Sequence, residues 1–261
     1  MNTNLIILGG AGRMGSTLIR LASNAQDLSV VAVVEPKTEL LPKLPESCFV
    51  AKSLAECIEK FPRAVIIDFT ATTSTMENAK LAAQYKNPLV IGTTGLNAEQ
   101  KQIIEEYAHQ TPIMMSPNMS VGVNVLLDIL PKLTAMLGSE YDTDLMEIHH
   151  NLKKDAPSGT ALRLAEAVAE GKGKNLDDVA CYHREGIIGE RPKDEIGIQT
   201  LRGGDVVGVH TIYYMGTGER IEITHHAQSR ENFANGALRA ARWLVKQNAE
   251  RLYSMHDVLK G

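Results

Sequence analysis

A chain of 261 residues and 28.5 kDa is long enough for one large α/β unit or two modest domains with cores of their own. Apolar residues make up 44% and charged residues 22%, an ordinary globular balance, but only 5% are aromatic, too few for the stacking surfaces of a single-stranded nucleic-acid binder. The 27 basic and 31 acidic residues leave a net charge of −4, so nucleic acid is not expected as a partner and any anion site must be local.

Met1-Asn2-Thr3-Asn4 leads straight into a strand-like run, with no basic region or small-residue cleavage site. No apolar run approaches the roughly 18 to 20 residues needed to cross a bilayer, so the expectation is a cytoplasmic protein without a membrane partner. Short apolar runs at Leu5–Leu8, Val30–Val34, Val65–Ile67, Leu89–Ile91 and Ile113–Met115 read as buried strands. Between them Arg13–Ser23, Leu54–Lys60, Ser74–Tyr85 and Ala98–His109 have the length and periodicity of crossover helices. Alternation of this kind predicts an α/β fold with a Rossmann-type doubly wound parallel sheet. Cys48, Cys57 and Cys181 are odd in number and lack CxxC spacing, so neither a disulfide framework nor a zinc site is expected.

Gly10-Ala11-Gly12-Arg13-Met14-Gly15 matches G-x-G-x-x-G where a strand gives way to a helix. The first glycine allows the turn, the second lets backbone approach a pyrophosphate, and the third lets helix and strand pack closely. The helix N-terminus then faces the phosphates, with Arg13 as a supplementary cation. Glu35, 20 residues past Gly15, is placed to accept the adenosine ribose hydroxyls, which favours NAD; Lys37 nearby leaves NADP open. The loops Phe69-Thr70-Ala71, Gly92-Thr93-Thr94-Gly95 and Ser116-Pro117-Asn118-Met119 follow strands, and there they would frame the nicotinamide or serve as plain polar loops.

Val121–Leu137 reads as a long helix, with Pro131 expected to kink or interrupt its later part. A different pattern follows: a strand at Asp144–His150, a helix at Gly159–Glu170 and a polar loop at 171–175. Strands at Ile196–Leu201, Val206–Tyr214 and Glu219–Thr224 are joined by glycine turns. This predicts a second α+β domain on a mixed or antiparallel sheet. Phe233, Ala234, Ala237, Leu238, Ala241, Leu244 and Val245 recur at helical spacing, in a closing helix expected to return to the first domain.

The densest chemistry lies between Glu147 and Thr160. His149 and His150 are adjacent, so on a strand they point to opposite sides and do not chelate one metal. One of them reads as a proton or hydrogen-bond donor near neutrality. Lys153 and Lys154 would attract a carboxylate, Asp155 could orient a lysine or cap a helix, and Pro157-Ser158-Gly159-Thr160 opens a helix with free N–H donors. The cluster suggests a small dicarboxylate ligand; a solvated charge run with ordinary capping is the bland alternative. His225, His226 and Arg230 read as ordinary polar residues.

Gly9 through Gly15, Gly92-Thr93-Thr94-Gly95, Asn118 through Asn124, Phe233 through Ala237 and above all the His149–Thr160 segment resemble the dihydrodipicolinate reductase family over almost the whole chain. The resemblance implies hydride transfer from NADH or NADPH to C4 of a cyclic dicarboxylate as water is lost, in diaminopimelate and lysine biosynthesis. It implies His149 and Lys153 as the catalytic pair and His150, Gly159 and Thr160 as substrate-binding residues. Cofactor-binding positions would be Gly9, Gly10, Ala11, Gly12, Arg13, Met14, Glu35, Gly92, Thr93, Thr94, Ser116, Pro117, Asn118 and Met119. It also implies a homotetramer, with 1–120 plus 231–261 as the dinucleotide-binding domain and 121–230 as the substrate-binding and oligomerisation domain. Pro36 after Glu35 departs from the arginine of many relatives, and Asn151-Leu152 replaces more basic residues. Another imino- or amino-acid dehydrogenase, or a non-catalytic NADH-sensing module, remains as an alternative.

Overall fold

The computed structural model describes residues 2–261. The chain folds as two compact units, one of residues up to Val121 together with Arg230–Gly261, the other of Gly122–Ser229.

In the first unit the chain runs β1 (Thr3–Leu8), α1 (Arg13–Ser23), β2 (Leu28–Val34), β3 (Phe49–Ala51), β4 (Val65–Asp68), α2 (Thr72–Tyr85), β5 (Leu89–Ile91), α3 (Ala98–Ala108) and β6 (Ile113–Met115). In the second it runs α4 (Val121–Leu137), β7 (Asp142–His149), α5 (Gly159–Gly171), α6 (Leu176–Val179), β8 (Ala180–Cys181), β9 (Ile196–Arg202), β10 (Gly208–Gly216) and β11 (Glu219–Ala227). The chain then returns to the first unit with α7 (Glu231–Leu244), β12 (Leu252–Tyr253) and α8 (Met255–Lys260).

The first sheet has the order β12-β6-β5-β4-β1-β2-β3 and is parallel throughout. Its strands are short and apolar because both faces are covered. Leu5 and Ile7 of β1 join one core cluster with α1 and α7, whereas Ile6 and Leu8 join another with Ala79, Ala82 and Ile104 of α2 and α3. The alternating phase of a strand thus feeds two helical layers. The closing helix contributes Ala234, Ala237, Leu238, Ala241 and Leu244, all buried beside β1 and β4 residues, as its apolar periodicity anticipates.

The second sheet has the order β11-β10-β7-β9-β8, antiparallel at β11-β10-β7 and parallel at β7-β9-β8. One face packs on α5 and part of α4 through Leu130, Leu145, Leu164, Val168, Ile198, Ile212 and Tyr214. The anticipated mixed sheet in an α+β unit is therefore present.

Three local expectations change. Leu54–Lys60 forms two 3-10 turns, Leu54–Glu56 and Ile58–Lys60, rather than a crossover helix; seven residues give an α-helix too few internal hydrogen bonds, and Leu54, Cys57 and Ile58 bury their side chains without it. Pro131 lies inside α4 without ending it. Finally, the stretch Val121–Glu140, 20 residues, is long and apolar enough to cross a membrane, contrary to the sequence expectation. Asp128, Pro131 and Lys132 interrupt its apolar run without lowering the average enough. Part of this helix is committed to protein packing: Leu130 is fully buried, and the Thr134 hydroxyl shares a 2.7 Å hydrogen bond with that of Tyr214.

Candidate active site

In the parallel sheet the chain advances from β1 to β2 and β3 on one side, then returns to β4, β5 and β6 on the other. The order reverses between β1 and β4, where adjacent strand ends leave a crevice for ligands. Leu8 and Asp68 are the last register pair of these strands, so the glycine loop and the Phe69–Ala71 loop start side by side.

Gly9 and Gly10 donate to the Val34 carbonyl at 2.9 and 3.4 Å, and Gly12 N–H donates to Gly9 O at 3.0 Å, which closes the turn. A Cβ on Gly15 would stand 2.1 Å from Gly9 O, so the close approach of α1 to the loop demands glycine there. No side chain caps α1 or α2, both of which start at this crevice, whereas Asn97 caps α3 and Ser158 caps α5. Uncapped N–H groups at a crevice suit an anion. Glu35 reaches over the loop, where its carboxylate accepts from Ala11 N–H and Lys37 N–H, each at 3.1 Å.

The two neighbouring loops share one buried carboxylate. Asp68 accepts from Thr70 N–H at 2.8 Å, Thr70 Oγ1 at 2.6 Å, Thr93 Oγ1 at 3.3 Å and Asn78 Nδ2 at 3.0 Å, and Thr75 donates to Thr93 at 2.9 Å. Thr93 is thus held inward while Thr94 is exposed. Ser116 donates to Asn118 O, and Asn118 Oδ1 accepts from Ser120 N–H, which folds the third loop on itself. Pro117 is exposed at its tip, whereas the Met119 side chain is buried in the core. Gly9 through Gly12, Glu35, Gly92, Thr93, Thr94 and Ser116 through Met119 consequently lie on the loops at the carboxyl ends of one sheet, and Arg13 and Met14 open α1 beside them.

In the second unit β7 buries every other residue: Thr143, Leu145, Glu147 and His149. The strand ends at His149; His150 N–H bonds Val206 O, and Gly203 N–H bonds His149 O. His149 Nδ1 meets a Glu147 carboxylate oxygen. Burial pushes the Glu147 carboxyl upward, yet hydrogen bonds from His149, Arg202 and Ser158 N–H hold it down at about 2. Arg202 grips the same carboxylate with both terminal nitrogens, at 2.9 and 2.8 Å.

Lys153 Nζ pairs with Asp155 at 2.9 Å and is four-fifths shielded, whereas Asp155 is well exposed. Bonding to Lys153 holds the Asp155 carboxyl below its ordinary value. Ser158 caps α5 by accepting from Ala161 N–H at 3.1 Å; Gly159 is exposed and Thr160 half-buried at the helix start. The His149–Thr160 segment therefore groups an imidazole, an ammonium group and a helix N-terminus, a set suited to a carboxylated ligand.

Sequence reading passed over Arg202 and His210, and it gave Glu147 no role. His210 sits directly opposite Glu147 on β10 and is 4% exposed; its Nε2 lies 3.1 Å from Ser158 Oγ, and its ring is 5.1 Å from that of His149. Burial, then the charge of His149, push its imidazole down to about 3. His225, read as an ordinary polar residue, lies opposite His210 on β11 with ring centroids 6.5 Å apart. A signal existed: Glu147 and His210 occupy the apolar phase of alternating strands, a position that carries a polar residue only with partners waiting.

The comparisons with known proteins place one boundary near residue 120, while the C-terminal match runs on through α7 and α8. The family model described as dihydrodipicolinate reductase, N-terminus, matches residues 3–119, and its C-terminal counterpart matches residues 122–259. The 4-hydroxy-tetrahydrodipicolinate reductase of Nitratidesulfovibrio vulgaris strain Miyazaki F is 57% identical over 259 residues, covering 99% of this chain and 100% of that protein. The enzyme of the same name from Geobacter sulfurreducens is 44% identical, with 98% of each chain covered. Among solved structures, a dipicolinate-bound dihydrodipicolinate reductase from Paenisporosarcina sp. TG-14 shares the fold with a TM-score of 0.80 at 24% identity, over 98% of this chain and 99% of that one. With the two family models matching residues 122–259 and 3–119 and relatives this similar at full length, the chain belongs to the dihydrodipicolinate reductase family.

Proposed function

We propose that the chain is a 4-hydroxy-tetrahydrodipicolinate reductase: it reduces the cyclic dicarboxylate to tetrahydrodipicolinate, with NADH or NADPH as reductant. Both matched family halves carry the chemistry this requires, a glycine-loop dinucleotide site in one and the His149–Thr160 cluster in the other. That coincidence carries the reading.

Gly9, Gly10, Ala11, Gly12, Arg13 and Met14 would hold the pyrophosphate, a role supported by the uncapped α1 and by its close approach to the loop, which Gly15 permits. Glu35 would take the ribose hydroxyls, and Gly92 to Thr94 with Ser116 to Met119 would frame the nicotinamide. The bound dinucleotide supplies the hydride. Lys153 and the α5 N-terminus at Gly159 and Thr160 would hold the substrate carboxylates, with His150 beside them. Fixing a dianion against preset donors lowers the barrier by orientation and by charge stabilisation. His149, anchored at Nδ1, would supply the proton that completes the reduction at the carbon next to C4, with Lys153 as second proton donor.

The same reading takes the protein as a cytoplasmic homotetramer whose second unit mediates assembly, with neither nucleic acid nor membrane as partner. Exposed apolar side chains on that unit, among them Met136 at 85%, Ile187 at 106% and Ile188 at 56%, support an interface there. The experiment that tests the activity is oxidation of NADH and NADPH by purified protein with freshly generated 4-hydroxy-tetrahydrodipicolinate. Turnover that depends on the substrate supports the assignment; reduction of open-chain imino acids at equal efficiency would replace it with a general dehydrogenase.

A further inference from the structure

We propose that Glu147 is the positioning residue of the proton-donor site, one buried carboxylate that fixes both the tautomer of His149 and the place of the α5 N-terminus. The proposal rests on the reading of His149 as proton donor. Glu147 is itself 0% exposed and touches no solvent.

Its two oxygens are fully engaged. One accepts from Ser158 N–H at 3.0 Å, Thr200 Oγ1 at 3.3 Å and Arg202 Nη2 at 2.8 Å; the other accepts from His149 Nδ1 and from Arg202 Nη1 at 2.9 Å. An ionised carboxylate only accepts. Nδ1 of His149 must therefore carry its hydrogen whether the ring is neutral or charged, which leaves Nε2 as the nitrogen that exchanges a proton. Gly208 keeps that edge open, since a Cβ there would stand 2.9 Å from Nε2.

Arg202 gives the arrangement its charge balance. With Glu147 at −1 and Arg202 at +1, the trio with His149 is neutral when the ring is neutral and carries one positive charge when the ring is protonated. Positive charge thus appears at the imidazole only in the state that donates, facing a dianionic ligand. Arg202 also donates to Asp155 O at 2.8 Å, so it ties down the loop that carries Lys153.

The same carboxylate places the start of α5. Ser158 gives its N–H to Glu147 and its hydroxyl oxygen to Ala161 N–H, and that hydroxyl also meets His210. Imidazole and helix N-terminus are thereby indexed to one rigid group, and a shift of Glu147 would misplace both together. A carboxylate serving only to satisfy Arg202 would need neither contact.

Long-range proton–nitrogen correlation spectra of the wild-type protein with 15N-labelled histidine, assigned through His149→Ala, read the tautomer directly. The expected result is neutral His149 with hydrogen on Nδ1; hydrogen on Nε2 would overturn the proposal. Kinetics supply the second arm. Glu147→Gln should lower kcat on the order of a hundredfold or more, by analogy with the tautomer loss when a triad carboxylate becomes an amide, while Kd for NADH stays within about twofold. In the His149→Ala background the same change should lower kcat less than about threefold, because Glu147 acts on the proton step through the imidazole, while its hold on the α5 N-terminus still shows as a raised KM. Equal losses in both backgrounds would contradict the proposal. If Glu147→Gln strands the guanidinium and fails to fold, Glu147→Gln/Arg202→Met removes both charges and serves in its place. Full turnover by His149→Ala would defeat the reading of His149 as proton donor, whereas the spectrum would still decide which nitrogen Glu147 holds.

Discussion

At the scale of single residues, chemistry and stability are carried by different groups and can be separated. His149→Ala and Lys153→Ala should each lower turnover by about 10²- to 10⁴-fold, the usual worth of a positioned proton donor. NADH affinity, measured by fluorescence titration, should be unchanged in both; equal loss of binding and turnover would mark a structural role. His210 behaves differently. Its imidazole is held neutral in the fold down to about 3, against 6.5 when exposed. The unfolded chain therefore takes up a proton that the folded chain refuses as pH falls below 6.5, and stability present above that value is lost progressively toward 3. Each pH unit in this window costs about 1.4 kcal/mol for one such group. Glu147, held at about 2 rather than 4.5, adds loss in the same direction only at lower pH. Urea denaturation at pH 7 and pH 5 should show wild-type stability falling by about 2 kcal/mol more than that of His210→Gln. Parallel behaviour of the two would show that His210 does not carry the acid sensitivity.

At the scale of elements, the glycine loop and the loop before β9 make opposite demands. Gly15→Ala would drive a methyl group to 2.1 Å from Gly9 O, which α1 can relieve only by moving off β1. NADH affinity should drop by more than about tenfold, since free N–H groups and loop would no longer converge. The 182–195 segment is held instead by charge. Asp144 receives Arg184 at 2.7 Å and Arg191 at 2.6 Å, and Glu195 receives Arg184 at 2.6 Å. Burial pushes the Asp144 carboxyl upward, but the two guanidinium groups hold it below its ordinary value. Asp144→Ala removes the carboxylate that the two guanidinium groups share and leaves them Glu195 and Asp142, and limited proteolysis should then cut between Arg184 and Arg191 well before the wild type is cut.

How far the sequence discloses these elements follows from where the information resides. The parallel strands are legible because burial on both faces makes each an apolar run, and the glycine motif because its spacing is fixed by a turn. Leu54–Lys60 misleads because its apolar spacing fits a helix while its length does not sustain one. The short β3 and β12 pair only two or three residues, too few for a periodic signal. Within the site, His149 and Lys153 stand out in a charged run, whereas Arg202 and His210 lie 53 and 61 positions beyond His149 in the sequence. Only the register of β7 with β9 and β10 brings them together, and register is set by the folded sheet.

At the scale of the whole molecule, the chain is built as two compact units. The first buries a doubly wound sheet under helices that include α7 and α8, so loss of α7 should unfold that unit. Leu244, fully buried there, should cost about 2 to 5 kcal/mol when changed to Ala. Added NADH should restore part of that loss, because a ligand that binds only the folded state stabilises it. On the proposed function, this chain reduces a cyclic dicarboxylate with a nicotinamide dinucleotide. Steady-state oxidation of NADH with freshly generated 4-hydroxy-tetrahydrodipicolinate, titrated with pyridine-2,6-dicarboxylate, tests it most directly. Substrate-dependent oxidation with competitive inhibition by the aromatic dicarboxylate is the predicted result; a folded, NADH-binding protein that leaves the dinucleotide unoxidised under those conditions would contradict it.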